Sequence, residues 1–526
     1  MPLTEDRAEA LLAQLGFEAF RPGQREAVEA ALAGRDSLIV MPTGGGKSLC
    51  YQLPGLASED LTIVVSPLIA LMNDQWSRLT GAGHPVAMVT SAMGEAEVRR
   101  ALEQVRGGEA RIVYCSPERF GSTVFLAALE RRRIDLLAVD EAHCVSEWGH
   151  DFRPDYLRLP QIAERLGRPT VMACTATATK AVAAEIAARF EMRDPLQVRS
   201  GFDRPNISFD VVRLEGKGSM GRRMALLAAG LADPANRPAI VYCGTRKSAD
   251  EIAAELGASG LPALAYHAGM EAAERTAAQR RFMGGEVDVV VATNAFGMGV
   301  DKADVRSVWH IAIPTSLEAY YQEAGRGGRD GRPAMAVLLA MRADLGRLVR
   351  FNEQRRGDPE LAIAHERGWR NYHTIKSFIY SERCRRRSLL DHFGDYEGGR
   401  PLGRCCDVCD PGSGLPNPET IAVRPPRRAK APKAAAVALS AADTPLLGQL
   451  KEWRLRAADG KPAFTVAHNS TLEAIAATRP ADRDCLVAIR GIGPSFISKY
   501  ATEVLEIVAA HPREVGGPIS DAIRRP

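Results

Sequence analysis

At 526 residues the chain is too long for one core and predicts roughly three or four domains of about 100–200 residues each. Hydrophobic residues at 46 % and charged residues at 25 % exclude a mainly disordered chain, and a net charge of +4 excludes arguing for a polyanionic partner from bulk charge alone. No run of about 18 apolar residues occurs and the start MPLTEDRAEA lacks a basic-then-apolar leader, so a soluble cytoplasmic protein with no membrane partner is expected.

From Ser37 to Thr179, short runs rich in Val, Ile and Leu alternate with polar turns and helical stretches, which predicts α/β architecture with a parallel sheet. The runs are SLIVM at Ser37, LTIVVS at Leu61, RIVYC at Arg111, LLAVD at Leu136 and TVMACT at Thr170. A second series, AIVYC at Ala239, ALAYH at Ala263, VDVVVAT at Val287, SVWHIAI at Ser307 and MAVLLA at Met335, predicts a second lobe. The Pro-, Gly- and polar-rich stretch between them, Asp203 to Gly221, reads as a hinge. The expected divisions are a first lobe over 1–208, a second over 209–345, a basic helical metal-binding domain over 346–411, a Pro/Ala-rich linker over 412–442, a helical domain over 443–515 and a tail over 516–526. Ten cysteines in such a chain argue for thiols and a metal site. Six of them, Cys115 and Cys174 among these, read as buried small hydrophobes in apolar runs.

The segment MPTGGGKS follows an apolar run and precedes a helical stretch, as a phosphate-binding loop requires. Thr43, Gly44, Gly45 and Gly46 would close backbone N–H groups around phosphate oxygens, Lys47 would reach the β- and γ-phosphates of ATP, and Ser48 would ligate Mg²⁺. DEAH ends the run LLAV: Asp140 would hold Mg²⁺ and Glu141 would orient and deprotonate the attacking water. In the second lobe, YYQEAGRGGRDG reads as a helix face projecting Arg326 and Arg329 across a cleft, to stabilise charge during phosphoryl transfer. Cys384 and the later GRCCDVC have metal-site character, with Cys406 and Cys409 spaced for one tetrahedral Zn²⁺.

These motifs, in this order over Phe17 to Cys409, resemble those of the RecQ family of superfamily 2 DNA helicases. The resemblance implies two RecA-like lobes, a helical zinc-binding domain and ATP-driven 3′–5′ tracking on single-stranded DNA in repair or recombination. Tailed or forked duplex DNA would be the substrate, single-strand-binding or repair proteins would be partners, and in a bacterium the protein would associate with the nucleoid. FEAFRPGQ resembles the adenine-reading element, with Gln24 at the adenine edge and Arg21 steadying nearby groups. VVSPLIALMNDQ, CSPERF and ACTATAT are similar to first-lobe motifs that touch nucleic acid or couple it to ATP. VYCGTRK and VATNAFGMGVDKADVR are similar to second-lobe motifs, with Asp301 as a nucleotide-side contact.

SEWGHDFRPDY, directly after DEAH, resembles the aromatic-rich loop that marks RecQ proteins. Its Trp148 and Phe152 would stack on bases, while His150 and Arg153 supply donors for phosphate. The family pattern would put a cysteine at position 403, where this chain has Gly403 and then Cys405. Cys405 or another group such as His392 completes the zinc site, or the site is weaker. The block from Asp443 to His511 resembles the HRDC module, with Gly491-Ile492-Gly493, Pro494 and Lys499 suited either to single-strand binding or to a structural or protein-interaction role. The roughly thirty residues from Cys409 to Asp443 cannot hold the winged helix of many RecQ proteins. Two rivals follow from this pattern: an RNA-directed motor, and an ATPase that pairs or tracks along strands with little unwinding.

Overall fold

The computed structural model describes residues 5–42, 44–146, 153–297, 302–358, 361–412, 415–422, 443–458, 463, 466–487, 489 and 492–512. Two compact units, 1–425 and 426–526, divide the chain.

The larger unit holds two wholly parallel sheets. The first comprises β1 (Ser37–Val40), β2 (Leu61–Val65), β3 (Val86–Val89), β4 (Ile112–Cys115), β5 (Ile134–Val139), β6 (Thr170–Thr175) and β7 (Leu196–Arg199), in the order β3-β4-β2-β5-β6-β1-β7. Its strands are apolar on both faces because helices cover both, giving one core through Ile63, Val113 and Leu137 and another through Ile39, Val64 and Met172. The five expected strands are all present. The sequence reading missed β3, whose VAMV run is short, and the edge strand β7, where Gln197 and Arg199 interrupt the apolar pattern.

The second sheet comprises β8 (Ile207–Leu214), β9 (Ala239–Tyr242), β10 (Ala263–Tyr266), β11 (Val289–Ala292), β12 (Ser307–His310) and β13 (Ala334–Met341), ordered β10-β11-β9-β12-β13-β8. The stretch read as a hinge therefore contains a strand. β8 pairs with β13 along its whole length, from Ile207 opposite Ala334 to Leu214 opposite Met341. Ser208 and Asp210 disguised it, since a buried carboxylate contradicts an ordinary strand pattern unless a cation pairs with it. Arg404 does so, 2.5 Å from Asp210, whose carboxyl burial pushes up and Arg404 pulls back down.

The outer edge of β8 is covered by the cysteine-bearing segment. The Phe209 N–H donates to the Cys405 carbonyl (3.0 Å) and the Val211 N–H to Asp407 Oδ1 (3.2 Å), so no bare sheet edge is left there. Helices Ala362–Tyr380 and Arg385–Phe393 bury Ile375, Phe378, Leu389 and Phe393 in a cluster that also contains β8 and β13 residues. Leu415 and Ile421, at the start of the expected linker, pack on the second lobe's core.

The smaller unit contains helices Thr444–Ala457, Asn469–Thr478, Arg483–Val487 and Pro494–Ala509 around Leu450, Trp453, Leu472 and Val504, in agreement with the helical domain expected there. The Trp453 indole N–H donates to Glu503 Oε2 at 2.7 Å. Gly491 lies outside the described residues, as does the side chain of Pro494. Among the described residues no helix is long and apolar enough to cross a membrane.

Arg404→Met strands the Asp210 carboxylate in the interior. We expect a loss of about 3 kcal/mol in stability, measured as a lower midpoint of urea unfolding, with Arg404→Lys losing less.

Candidate active site

The loop leaving β1 carries Gly44 and Gly46, both with φ of 82°, and Gly46 starts the helix Lys47–Ala57. A Cβ on Gly46 would lie 2.3 Å from Gln24 Nε2, so only glycine admits this approach. The buried Gln24 amide donates to the carbonyls of Gly45 (3.2 Å) and Gly46 (3.0 Å) and accepts from the Arg21 N–H (2.8 Å). The Arg21 guanidinium donates to the Gly44 carbonyl. Lys47 Nζ donates to the Met41 and Pro42 carbonyls at 3.1 and 3.4 Å. Thr43 lies outside the described residues.

Asp140 continues the end of β5, its N–H donating to the Val65 carbonyl at 2.8 Å. Burial, then the neighbouring Glu141, push its carboxyl up to about 7, against the pull of Lys47. Glu141 adopts a left-handed conformation (φ 48°), uncommon outside glycine and typical of strained functional turns. Its Oε2 lies 3.3 Å from Nδ1 of the buried His143, which meets Thr175 Oγ1 at 2.9 Å. DEAH is thereby joined to the ACTATAT segment at the end of β6.

Trp148, His150 and Phe152 lie outside the described residues; Arg153 lies within them, its N–H donating to the Cys144 carbonyl at 3.1 Å. Sequence reasoning assigned no role to Tyr156, although it quoted it. The fully buried Tyr156 hydroxyl donates to the Asp140 carbonyl at 3.0 Å, tying the far end of the aromatic-rich segment to DEAH. Gln75 of VVSPLIALMNDQ accepts from Tyr51 Oη (3.1 Å) and Gln52 Nε2 (3.3 Å), on the helix that follows the glycine loop.

Arg326 and Arg329 come from the second lobe yet line the same cleft of about 300 Å³ as Gly44, Lys47, Ser48, Asp140 and Glu141. Phe17, Arg21 and Gln24 line it as well, and so does Gln322, to which no role was assigned. The two arginines are not on a helix face: helix Leu317–Ala324 ends before them, and they occupy the turn that Gly325, Gly327 and Gly328 (φ 54°) permit. Arg329 reaches the glycine loop, with its Cγ 3.9 Å from where a Cβ on Gly44 would stand. Asp301 lies outside the described residues.

The Sγ atoms of Cys384, Cys405, Cys406 and Cys409 all lie within 4.8 Å of one another. Zinc bound at about 2.3 Å by four thiolates needs S–S edges of about 3.8 Å, and Cys384 lies 3.6 Å from Cys405 and 4.0 Å from Cys406. The four thiols fit zinc. His392 does not join them, since it faces Glu318 Oε1 at 2.7 Å. Burial raises the Cys384 thiol, but the Arg387 N–H and the neighbouring thiols more than offset this and hold it below its ordinary value. Of the other six cysteines, Cys50, Cys115, Cys144, Cys174 and Cys243 are buried as expected. Cys485 is exposed, because it lies on a short outer helix and not in an apolar strand.

Two parallel-sheet lobes sharing a cleft lined by a glycine loop, an Asp-Glu pair and two arginines define a phosphate-loop protein of the DEAD/DEAH class. The DEAD/DEAH box helicase family matches residues 21–186, the helicase conserved C-terminal domain 223–331, RecQ zinc-binding 342–410 and the HRDC domain 443–508. ATP-dependent DNA helicase RecQ of Bacillus subtilis is 38 % identical over 407 residues, 77 % of this chain and 67 % of that protein. The RecQ of Pasteurella multocida is 38 % identical over 409 residues, 78 % of this chain and 63 % of that protein. The chain belongs to the RecQ family. It spans 62–66 % of the length of the first three curated relatives it matches. The DUF1998 helicase MrfA bound to DNA and AMPPNP shares the fold at 21 % identity and a TM-score of 0.54, over 67 % of this chain and 53 % of that one.

Purified, dialysed protein is expected to carry about one zinc per chain by elemental analysis. Cys405→Ser should lose it and His392→Ala should keep it, a pair of outcomes that assigns the fourth ligand directly.

Proposed function

We propose that the chain is an ATP- and Mg²⁺-dependent DNA helicase that tracks 3′ to 5′ along a single strand, acting in repair or recombination. The observation that carries this reading is the composite cleft: Lys47, Asp140 and Glu141 of one lobe face Arg326 and Arg329 of the other. In such a cleft Lys47 binds the terminal phosphates and Glu141 takes the proton of the attacking water. Arg326 and Arg329 offset the charge that develops on the transferred phosphoryl group. Ser48 and Asp140 would hold Mg²⁺, which would supply further neutralisation of phosphate charge. Arg21 and Gln24 brace the glycine loop at the cleft's adenine end, and Thr43 and Asp301 complete the nucleotide contacts.

Coupling to DNA falls to Trp148, His150, Phe152 and Arg153. The Arg153 and Tyr156 bonds to the Cys144 and Asp140 carbonyls support this role, because a strand held by that segment pulls directly on DEAH. The names of the relatives favour DNA over RNA as the strand.

Lys47→Ala should lower DNA-stimulated ATP hydrolysis by about 10²-fold or more while leaving DNA binding intact. Trp148→Ala should keep basal hydrolysis and lose most of the stimulation. The deciding experiment is strand separation on 3′-tailed and 5′-tailed duplexes: opening of the 3′-tailed substrate alone supports the proposal, and ATP hydrolysis without opening of either contradicts it.

A further inference from the structure

We infer that Arg204, outside the cleft, is a positioning residue for ATP turnover that holds the turn carrying Arg326 and Arg329 in register with the glycine loop. The inference rests on the reading of the cleft given above. Arg204 Nη1 donates to the Gly325 carbonyl at 2.6 Å, and Nη2 to those of Gly327 (2.8 Å) and Gly328 (3.3 Å). These three carbonyls bracket Arg326 and lead into Arg329. Asn206 Nδ2 completes the grip, donating to the Gly328 and Arg332 carbonyls at 2.7 Å each. Gly328 is left-handed, and a Cβ there would lie 2.4 Å from Asn206 Nδ2, so turn and clamp are fitted to each other.

The clamp is itself anchored. The Arg204 carbonyl accepts from Arg386 Nη1 at 2.9 Å, and the buried Arg386 also donates to Asp203 and to the Ile207 carbonyl. Two residues ahead of Arg204, Phe202 stacks on Phe393 (centroids 4.6 Å apart, planes 5° apart) and accepts at its carbonyl from Tyr321 Oη at 2.5 Å. A planar guanidinium spans three carbonyls where a lysine ammonium, a point donor on a flexible stem, cannot hold all three in one plane. Misplacing a charge-stabilising group by about 1 Å costs up to about 10²-fold in rate. Arg204 is thus expected to act on kcat through the two arginines without touching nucleotide.

The test is steady-state DNA-stimulated ATP hydrolysis by the full chain. Arg204→Lys should lower kcat about tenfold, with KM for ATP, AMPPNP affinity and zinc content within about twofold of the unaltered protein. Asn206→Ser, the milder variant should the lysine protein fold poorly, should lower kcat about threefold with the same split. Because Arg204 works through the turn, adding Arg204→Lys to a chain already carrying both Arg326→Ala and Arg329→Ala should cost no more than about twofold beyond those two changes. Unchanged kcat in both clamp variants overturns the inference, as does a lower melting temperature at full kcat. Losses that multiply when Arg204→Lys is added to the chain lacking both arginines also overturn it, since they place Arg204 outside the arginines' path. If Arg329→Ala itself turns over at the full rate, the reading of the cleft has failed and this inference falls with it, an outcome the single variants distinguish.

Discussion

The register of β8 on β13 is the constraint on which the assembly of this cleft depends. Pairing begins with Ile207 opposite Ala334, and the Ala334 N–H donates to the Asn206 carbonyl at 2.9 Å. Residues immediately before the two strands, 204–206 on one and 325–332 on the other, are therefore neighbours by register and not by chance. A slip by one residue would reverse the faces of β8, carrying Ile207, Phe209 and Val211 out of one buried cluster and Val212 and Leu214 out of the other. On its opposite edge β8 receives the Cys405–Asp407 segment, so a single strand joins the second lobe's sheet to the cysteine module and fixes the chain entering from the first lobe.

In the first lobe the same economy comes from parallel pairing. Ligands of open parallel sheets gather beyond the carboxyl ends of strands, and β6 lies between β1 and β5. The loops after β1, β5 and β6 consequently stand side by side. This is why Gly44 and Asp140, nearly a hundred residues apart, line one cleft, and why His143 after β5 reaches Thr175 at the end of β6. Burying Asp140 there, beside Glu141, pushes its carboxyl up to about 7 against the pull of Lys47, in a cleft that Arg21, Arg78, Arg326 and Arg329 also line.

The parts of this structure that were legible in the sequence are those fixed by local patterns. Apolar runs mark ten of the strands because parallel strands are covered on both faces, and the glycine loop and DEAH announce themselves by residue type and by their place after such runs. What escaped was set by long-range pairing. β8 reads as a hinge because Asp210 looks exposed until Arg404, 194 residues away, neutralises it. Arg326 and Arg329 read as a helix face, since nothing nearby in sequence reveals that Arg204 holds their turn. Tyr156 reads as one more aromatic in a polar loop, although its hydroxyl is committed to a backbone carbonyl of DEAH. Cys405 looked out of place only while spacing was counted along the chain: the bonds of its backbone to Phe209 and Asp410 turn the adjacent pair so that both thiols face Cys384.

The basic run Arg385-Arg386-Arg387 makes the same point about charge. At the first turn of a helix three cations oppose the dipole, so they need other compensation. Arg385 and Arg386 are buried. Arg385 forks onto Asp407 inside the cysteine loop and donates to the Phe378 and Ser381 carbonyls, while Arg386 ties the interlobe segment and Arg387 binds Asp391 and the Gly398 carbonyl. Cys384 caps the same helix, its Sγ accepting from the Arg387 N–H. A metal that fixes Cys384 therefore fixes the start of the helix that aims these guanidinium groups. Because a buried guanidinium that loses its partners is costly, the module is stable only with its arginines docked, and docking them sets the segment 203–207 on which the second lobe's arginine turn rests. The cysteine module is in this sense part of the frame of the cleft, and Arg385 and Arg386 serve the interior of the protein and not its surface.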